Sequence, residues 1–254
     1  MMNTQLSLKN KKVLITGAAG GIGEAIVMLC GSAGATLYLN GTREERLQRL
    51  SKRLDEQGFD HHYKALNLTE KGSAEKLVNA CVETMGGIDV LINCAGINRT
   101  QLAEDLTEEN WDAVLDINLK ALFLVCQATG RVMIEKGGGK IINISSQAGS
   151  VAIPFRAAYC SSKGGVDQLT RVLALEWSKY NINVNAVAPT FVKTDMTSKM
   201  FEDPEFKKFV LDSIPLGRMA SPDEVAYPVL FLATEYADMI TGHVLMVDGG
   251  WTIK

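Results

Sequence analysis

Hydrophobic residues along this chain fall into short runs separated by longer segments with a helical period. The runs KVLIT (12–16), IDVLINC (88–94) and INVNAVA (182–188) are continuously apolar, which indicates strands that are covered on both faces. Further strands are expected at 35–40, 61–67, 140–145 and 243–248, and helices at 43–57, 70–85, 107–135 and 156–179. Strands that alternate with helices predict right-handed crossovers and an α/β fold, a doubly wound parallel sheet with helices on both faces.

The same pattern continues to the end of the chain without a break. No linker rich in Pro, Gly or Ser, no internal repeat and no low-complexity segment divides it, so we expect a single domain over residues 1–254. A last helix is predicted to begin in SPDE (221–224), with Ser221 as N-cap, Pro222 in the first helical position and Glu224 closing a capping box.

Charge and composition narrow the classes of partner. The 26 Lys and Arg residues nearly balance the 29 Asp and Glu residues and are dispersed, which argues against nucleic acid or an anionic membrane as a partner. No apolar run reaches the roughly 18 residues of a spanning helix, and the N-terminus lacks the apolar core of a secretion signal. We therefore expect a cytoplasmic protein that acts on a small molecule.

The cysteines and histidines indicate reduced thiols and give no sign of a metal site. The five cysteines are odd in number, widely spaced and set among apolar or small residues, as expected for reduced packing thiols. There is no C-x-x-C, and the three histidines have no metal-ligand spacing, so no metal site is predicted.

A glycine-rich turn follows the first predicted strand directly, in VLITGAAGGIGEAI (13–26). Gly17, Gly21 and Gly23 suit a tight turn, a close approach to a ligand and the packing of a helix on the sheet. A helix that begins near Gly21 would direct its free N–H groups at a pyrophosphate. A purely structural turn is the alternative, and a Walker-type loop is disfavoured because no Lys-Ser/Thr follows.

A tyrosine and a lysine lie four residues apart in AAYCSSKGG (157–165). On a helix Tyr159 and Lys163 share one face, and an ammonium near a phenol lowers the phenol pKa, which would let Tyr159 exchange a proton near neutral pH. Ser146 follows a predicted strand, where open α/β sheets place ligand sites, and could hold a substrate oxygen. The alternative interpretation of Tyr159 and Lys163 is an ordinary pair on the protein surface. Ser145 is the competing serine, and it is expected to be buried or bonded to the backbone at the end of the strand.

Together these patterns resemble the short-chain dehydrogenase/reductase family over essentially the whole chain. The matching segments occur in order: TGAAGGIG (16–23), NCAG (93–96), DINLK (116–120), NISSQAG (143–149) and YCSSK (159–163). The resemblance implies a Rossmann fold and hydride transfer between a nicotinamide cofactor and a secondary alcohol or ketone. It also implies a homotetramer, a substrate lid at about 190–214, and catalytic roles for Asn118, Ser146, Tyr159 and Lys163.

The resemblance further implies which positions hold the cofactor. Asn40 stands where NAD-preferring members carry an acid, and Thr42 and Arg43 follow it, which favours NADP(H) over NAD(H); the lack of a basic residue at 18–20 favours the reverse. Thr190 replaces the glycine of the family's P-G-x-V-x-T, which questions the backbone path there. The implied cofactor residues are Gly17, Gly21, Ile22, Gly23, Asn40, Thr42, Arg43, Asn67, Leu68, Asn93, Ala95, Gly96, Tyr159, Lys163, Pro189, Val192 and Thr194.

Candidate substrate residues adjoin the matched segments: Asn98, Arg99, Gln147 and Arg156. An arginine fork suits a carboxylate, and amides suit several hydroxyls. NCAGINR and the terminal DGGW resemble members acting on sugar acids, ketoses and polyols, of the gluconate 5-dehydrogenase kind. IPLGRMASPDEVA (214–226) resembles members that reduce 3-oxoacyl thioesters, the alternative substrate. A dinucleotide sensor is the non-enzyme alternative, and the lack of G-x-S-x-G disfavours a serine hydrolase.

Overall fold

The computed structural model describes residues 6–254, apart from the side chains of residues 195, 196, 199 and 200. Seven strands within this range pair in parallel to form one sheet in the order β3-β2-β1-β4-β5-β6-β7. They are β1 Lys12–Thr16, β2 Thr36–Gly41, β3 His61–Ala65, β4 Val90–Asn93, β5 Gly139–Ile144, β6 Ile182–Pro189 and β7 Val244–Val247. The predicted doubly wound parallel sheet is confirmed.

Helices cover both faces of this sheet. In chain order they are α1 Gly21–Ser32, α2 Glu44–Gln57, α3 Ser73–Met85, α4 Glu108–Leu115, α5 Leu122–Lys136, α6 Ala157–Trp177, α7 Asp195–Ser198, α8 Pro204–Ser213 and α9 Pro222–Ala233. Val13 and Ile15 of β1 pack in the core beneath α1, α2 and α9, whereas Leu14 packs in the core beneath α3, α5 and α6. All three are fully buried, and each contributes about 1.5–3 kcal/mol of hydrophobic free energy.

The capping box at the start of α9 is present as predicted. The Ser221 hydroxyl accepts from the Glu224 N–H at 3.3 Å, and the Glu224 carboxylate accepts from the Ser221 N–H at 2.8 Å. Pro222 occupies the first turn, where its missing N–H costs nothing.

The long helix predicted at 107–135 is interrupted. Between α4 and α5 the backbone forms a π-helical turn over Asp116–Ala121, so the helix stays continuous but gains a residue in one turn. This continuous stretch, Glu108–Lys136, is long and apolar enough to cross a membrane by length and composition, contrary to the expectation that no segment would be. Half of its most apolar window is buried inside the protein, and buried core helices pass the same test.

The order of the strands creates a crevice at one edge of the sheet. The chain moves outward from β1 to β2 and β3, then returns to place β4 on the other side of β1. The loops after β1 and β4 therefore separate at their carboxyl ends, which is where open α/β sheets bind ligands.

Candidate active site

The glycine-rich turn after β1 is dictated partly by the fold itself. Gly17 has φ of +64°, and a Cβ there would lie 2.6 Å from the backbone nitrogen of Ala95. A Cβ on Gly23 would lie 2.2 Å from the Gly17 carbonyl oxygen. These two glycines are required whether or not a ligand binds, so the structural interpretation holds for both.

The N-terminus of α1 nevertheless has the properties of an anion site. Its N-cap is Gly20, which has no side chain to accept from the first-turn N–H groups. A Cβ on Gly21 would lie 2.6 Å from Cγ2 of Thr194, so the turn and the loop after β6 approach each other closely. Free N–H groups and the positive end of the helix dipole at this point fit the pyrophosphate of a dinucleotide.

One cleft of about 680 Å³ runs along the carboxyl ends of the strands, within the usual range for cofactor sites. It joins the glycine turn, the loops after β2, β4 and β6, the end of β5 and the start of α6. The structure brings the following predicted residues to its wall: Gly17, Gly21, Ile22, Gly23, Asn40, Thr42, Arg43, Leu68, Ala95, Gly96, Asn98, Ser146, Gln147, Arg156, Tyr159, Lys163, Pro189, Val192 and Thr194.

Four predicted residues do not line this cleft: Asn93, Asn67, Arg99 and Asn118. The Asn93 amide is buried at the end of β4 and donates to Oδ1 of Asn143 at 3.0 Å, because the parallel register places the two residues opposite each other. Asn67 is exposed, and its Oδ1 accepts from the Thr69 N–H at 3.1 Å to close a local turn. Arg99 is exposed on the loop after β4.

Asn118 also lies outside the cleft wall, but it supports it. Its buried side chain accepts from the Ile97 N–H at 2.8 Å and donates to the Ile97 carbonyl at 2.9 Å. It also donates to the Ser162 hydroxyl at 3.1 Å. Asn118 stands in the π-helical turn and so joins the loop after β4 to α6, next to Lys163.

Ser146, Tyr159 and Lys163 converge at the centre of the cleft. The Ser146 hydroxyl donates to Oε1 of Gln147 at 2.9 Å and accepts from the Ala148 N–H at 3.1 Å, which fixes its position after β5. Lys163 Nζ lies 5.7 Å from the centroid of the Tyr159 ring and donates to the Ile144 carbonyl at 2.7 Å. The hydroxyl of Ser145, the neighbouring serine, donates to the buried Asp167 carboxylate.

The electrostatics at Tyr159 differ from the sequence-based expectation. Burial raises the pKa of Tyr159, because it disfavours the phenolate; the Ser146 hydroxyl and the Arg156 charge oppose this rise. Burial lowers the pKa of Lys163 to about 8, against the opposing influence of Cys94 and Asp167. The expected net lowering of the tyrosine pKa by Lys163 is therefore wrong for the protein alone.

Polar and charged groups line the outer end of the cleft, toward β2. The Asn40 amide donates to the carbonyls of Lys64 at 3.2 Å and Leu66 at 3.1 Å, so it ties β2 to the neighbouring strand and its loop. Arg43 and Arg46 line the wall beside it. Arg46 is not among the residues predicted from the sequence. Its position three residues after Arg43, on the same face at the start of α2, could have predicted it.

At the other end of the cleft, the wall contains buried polar atoms that lack a hydrogen-bond partner among the described residues. Oδ1 of Asn98 and Oγ1 of Thr190, both on residues of the cleft wall, have no hydrogen-bond partner within the described part of the chain. The backbone at Thr190 keeps a negative φ and its N–H donates to the Val247 carbonyl at 3.1 Å, so the loss of the family glycine leaves the strand path intact.

The comparisons with known proteins agree with this geometry. A family model described as enoyl-(acyl carrier protein) reductase matches residues 17–252. The chain is 40% identical over 250 residues to D-threitol dehydrogenase of Mycolicibacterium smegmatis, covering 97% of this chain and 95% of the relative. The chain belongs to the short-chain dehydrogenase/reductase family. It is therefore an NAD(P)-dependent oxidoreductase that acts on CH–OH groups.

Other members of the family differ in substrate. The NAD-dependent glycerol dehydrogenase of Listeria innocua is 41% identical, with 98% of this chain and 96% of the relative covered. The 3-oxoacyl-[acyl-carrier-protein] reductase of Thermotoga maritima is 40% identical, with 98% and 100% covered. A gluconate 5-dehydrogenase from Burkholderia cenocepacia, solved in complex with NADP and tartrate, superposes with a TM-score of 0.94 at 32% identity, with 98% of both chains covered.

Proposed function

We propose that this enzyme interconverts a secondary alcohol and a ketone of a sugar acid, ketose or polyol, with Tyr159 as general acid and base. The observation that supports this most directly is the convergence of Ser146, Tyr159 and Lys163 in the cleft that also contains the glycine turn. When bound, the nicotinamide supplies or accepts the hydride.

The protein's own residues then handle the proton. In reduction, the Ser146 hydroxyl donates to the substrate carbonyl oxygen and Tyr159 transfers its phenolic proton to that oxygen as the alcohol forms. Lys163 stabilises the resulting phenolate, and by family resemblance also holds the nicotinamide ribose. Asn118 positions the loop after β4 and the helix that carries Lys163. In oxidation, the same proton moves in the reverse direction.

Replacement of the phenol hydroxyl tests this assignment. In Tyr159→Phe, we expect kcat to fall by about 10²- to 10⁴-fold, because proton transfer is lost, while the Kd for NADPH stays within about twofold, because the glycine turn, Lys163 and the other residues of the cleft wall remain in place. Turnover is followed by absorbance of the reduced nicotinamide, and binding by its fluorescence. The matched control is Tyr180→Phe, at an exposed tyrosine beyond the catalytic helix, which should leave both values unchanged. Normal turnover in Tyr159→Phe would refute the assignment of Tyr159 as general acid and base.

We propose NADP(H) as the preferred cofactor over NAD(H). The side chains of Arg43 and Arg46 support it, because guanidinium groups bind a 2′-phosphate through charge-assisted hydrogen bonds, and Asn40 places no negative charge there. The relatives differ in this respect, since one is named NAD-dependent and another was solved with NADP.

The preference is tested by removing each arginine. Arg43→Ala and Arg46→Ala should each weaken NADPH binding about 10- to 150-fold and leave NADH binding unchanged, since only NADPH carries the 2′-phosphate. Arg49→Ala is the control, because Arg49 is exposed on the same helix outside the cleft. Equal losses for both cofactors would mean that the arginines do not read the 2′-phosphate.

A 3-oxoacyl thioester is the second candidate substrate, and the resemblance of residues 214–226 and the 40% identity to a carrier-protein reductase favour it. A panel of keto-sugar acids, ketoses and a 3-oxoacyl thioester separates the two.

We further propose that residues 1–254 form one domain and that about 190–214 form a lid over the substrate. We also propose a cytoplasmic location and a homotetramer, with no nucleic-acid or membrane partner.

A further inference from the structure

The proton of the Ser146 hydroxyl is directed at the side chain of the next residue. Ser146 and Gln147 both line the cleft and are buried, with 6% and 2% of their surface exposed. The Ser146 hydroxyl donates to Oε1 of Gln147 at 2.9 Å, and its oxygen accepts from the Ala148 N–H at 3.1 Å. A hydroxyl has one proton to donate, so Ser146 can serve Gln147 or a substrate oxygen, but not both at once.

The proposed reaction therefore forces an exchange of hydrogen bonds at Gln147. When Ser146 turns its proton to the substrate carbonyl, Oε1 of Gln147 loses the one donor that it has within the described part of the chain. A buried carbonyl oxygen without a donor weakens binding by about 5- to 150-fold. A substrate that brings its own donor beside the carbonyl avoids this loss, and a substrate without one does not.

The distance between the two oxygens indicates where that donor must lie. Oγ of Ser146 and Oε1 of Gln147 are 2.9 Å apart, a separation similar to that of two oxygens on adjacent carbon atoms. A carbonyl oxygen beside Ser146 and a hydroxyl on the next carbon can therefore meet both side chains together. A hydroxyl one carbon further along would lie farther from Gln147.

Two further polar atoms of the wall lack partners. Oδ1 of Asn98, on the loop after β4, and Oγ1 of Thr190, on the loop after β6, are buried and have no hydrogen-bond partner within the described part of the chain. Thr190 as a whole is 7% exposed, and it replaces the glycine that the family motif carries. Hydroxyl groups on a substrate would pair with these atoms, whereas an acyl chain would leave them unpaired.

Resting on the proposed function, we infer that Gln147 selects ketones that carry a hydroxyl on the carbon next to the carbonyl, and the corresponding vicinal diols in the direction of oxidation. Ser146 donates its proton to the carbonyl oxygen, and Oε1 of Gln147 accepts in exchange from the neighbouring hydroxyl of the substrate. Ketoses and keto-sugar acids have such a hydroxyl, and 3-oxoacyl thioesters do not. Gln147 acts in specificity, and the proton transfer remains with Tyr159.

Three small ketones test the inference on the wild-type protein. 3-Hydroxybutan-2-one has its hydroxyl next to the carbonyl, its isomer 4-hydroxybutan-2-one has it one carbon further, and butan-2-one has none. With NADPH, we expect kcat/KM for the first to exceed that for its isomer by about 5- to 150-fold. A ketone that is not turned over is measured by its inhibition constant against a keto sugar that the enzyme reduces, with the same ratio expected.

Variants of Gln147 separate recognition from the intrinsic reactivity of each ketone. Gln147→Met keeps the length of the side chain but removes the acceptor, so the ratio between the two isomers should fall by about 5- to 150-fold. Gln147→Glu keeps an acceptor oxygen and should retain the ratio, although its charge near Tyr159 lowers every rate. Gln48→Met, at an exposed glutamine of α2 outside the cleft wall, should change nothing.

The outcomes separate this inference from the proposed function. Wild-type enzyme that treats the two isomers equally overturns the role of Gln147 and leaves the dehydrogenase function standing. Equal losses for all three ketones in Gln147→Met, with an unchanged melting temperature and NADPH Kd, would show that Gln147 only orients Ser146 and would also overturn it. If Gln147→Met does not fold, Gln147→Leu takes its place. Failure of the wild type to reduce any ketone or thioester while it binds NADPH would refute the proposed function itself.

Discussion

Tyr159 and Lys163 are shifted in opposite senses by the same burial. A phenolate and an ammonium are both charged, so a dry cleft favours the neutral phenol and the neutral amine. The pKa of Tyr159 is raised and that of Lys163 is lowered to about 8. The spacing of four residues could predict that the two groups meet, but the balance between charge attraction and desolvation depends on the surrounding walls, which the sequence does not display.

The lowered pKa of Lys163 predicts a pH dependence. Below about pH 8 the side chain is an ammonium that stabilises the phenolate left by proton donation; above it, this charge is lost. We therefore expect kcat/KM for ketone reduction to be level near pH 6–7 and to fall as the pH rises through about 8, since this parameter reports the free enzyme. Initial rates from about pH 6 to about pH 10 at constant ionic strength check it. A profile that stays level up to about pH 10 would contradict the role given to Lys163.

Asp167 was missed in the sequence and is predicted to position this pair. It lies one turn beyond Lys163, accepts from the Ser145 hydroxyl, and its charge raises the Lys163 pKa. Asp167→Asn keeps an acceptor for Ser145 but removes the charge, so the fall in the pH profile should move to lower pH. Asp212→Asn, at an exposed aspartate, should leave the profile in place. If the pH dependence of kcat/KM in Asp167→Asn equals that of the wild type and the melting temperature is normal, Asp167 has no positioning role for Lys163.

At the scale of elements, the sequence predicted what local rules decide. Strand β1 begins and ends where its apolar run does, and α9 begins at its capping box. The π-helical turn at Asp116–Ala121 escaped, because an added residue in a helix leaves almost no trace in a period of 3.6. The direction of the Asn93 side chain was not predicted either, because the register of the strands decides whether a residue at a strand end faces the cleft or the neighbouring strand.

The capping box itself gives a prediction for stability. Ser221→Ala removes an acceptor from the first turn of α9 and should lower the free energy of unfolding by about 1 kcal/mol. The Kd for NADPH should not change, because the cap lies outside the cleft wall. Urea unfolding measures the first and nucleotide fluorescence the second. Ser221→Thr keeps a capping hydroxyl and should recover most of the loss; a full 1 kcal/mol loss in this variant as well would show that capping is not the cause.

For the whole molecule, exposed apolar residues on one side of the sheet indicate assembly. Leu124 on α5 and Val172 and Leu175 on α6 are exposed, Leu175 by 79%. A shallow depression of about 390 Å³ is lined by Leu115, Leu119, Phe123 and Leu169 together with the charged residues Asp116 and Lys120. Exposed apolar side chains grouped in this way favour an interaction surface. The family expectation of a homotetramer therefore has a surface on this chain that suits it.

Assembly through this surface is tested by placing a charge in it. Wild-type protein should scatter light as a tetramer at micromolar concentration, and Leu175→Glu should shift the mass toward dimers, because a carboxylate buried in an apolar interface has no partner. The fold should persist, since the side chain is exposed within one subunit. Arg49→Glu places a carboxylate on α2, across the sheet, and should leave the tetramer intact. A wild-type monomer would refute the tetramer, whereas a tetramer that tolerates Leu175→Glu would move the interface to another surface, such as that around the exposed Met239.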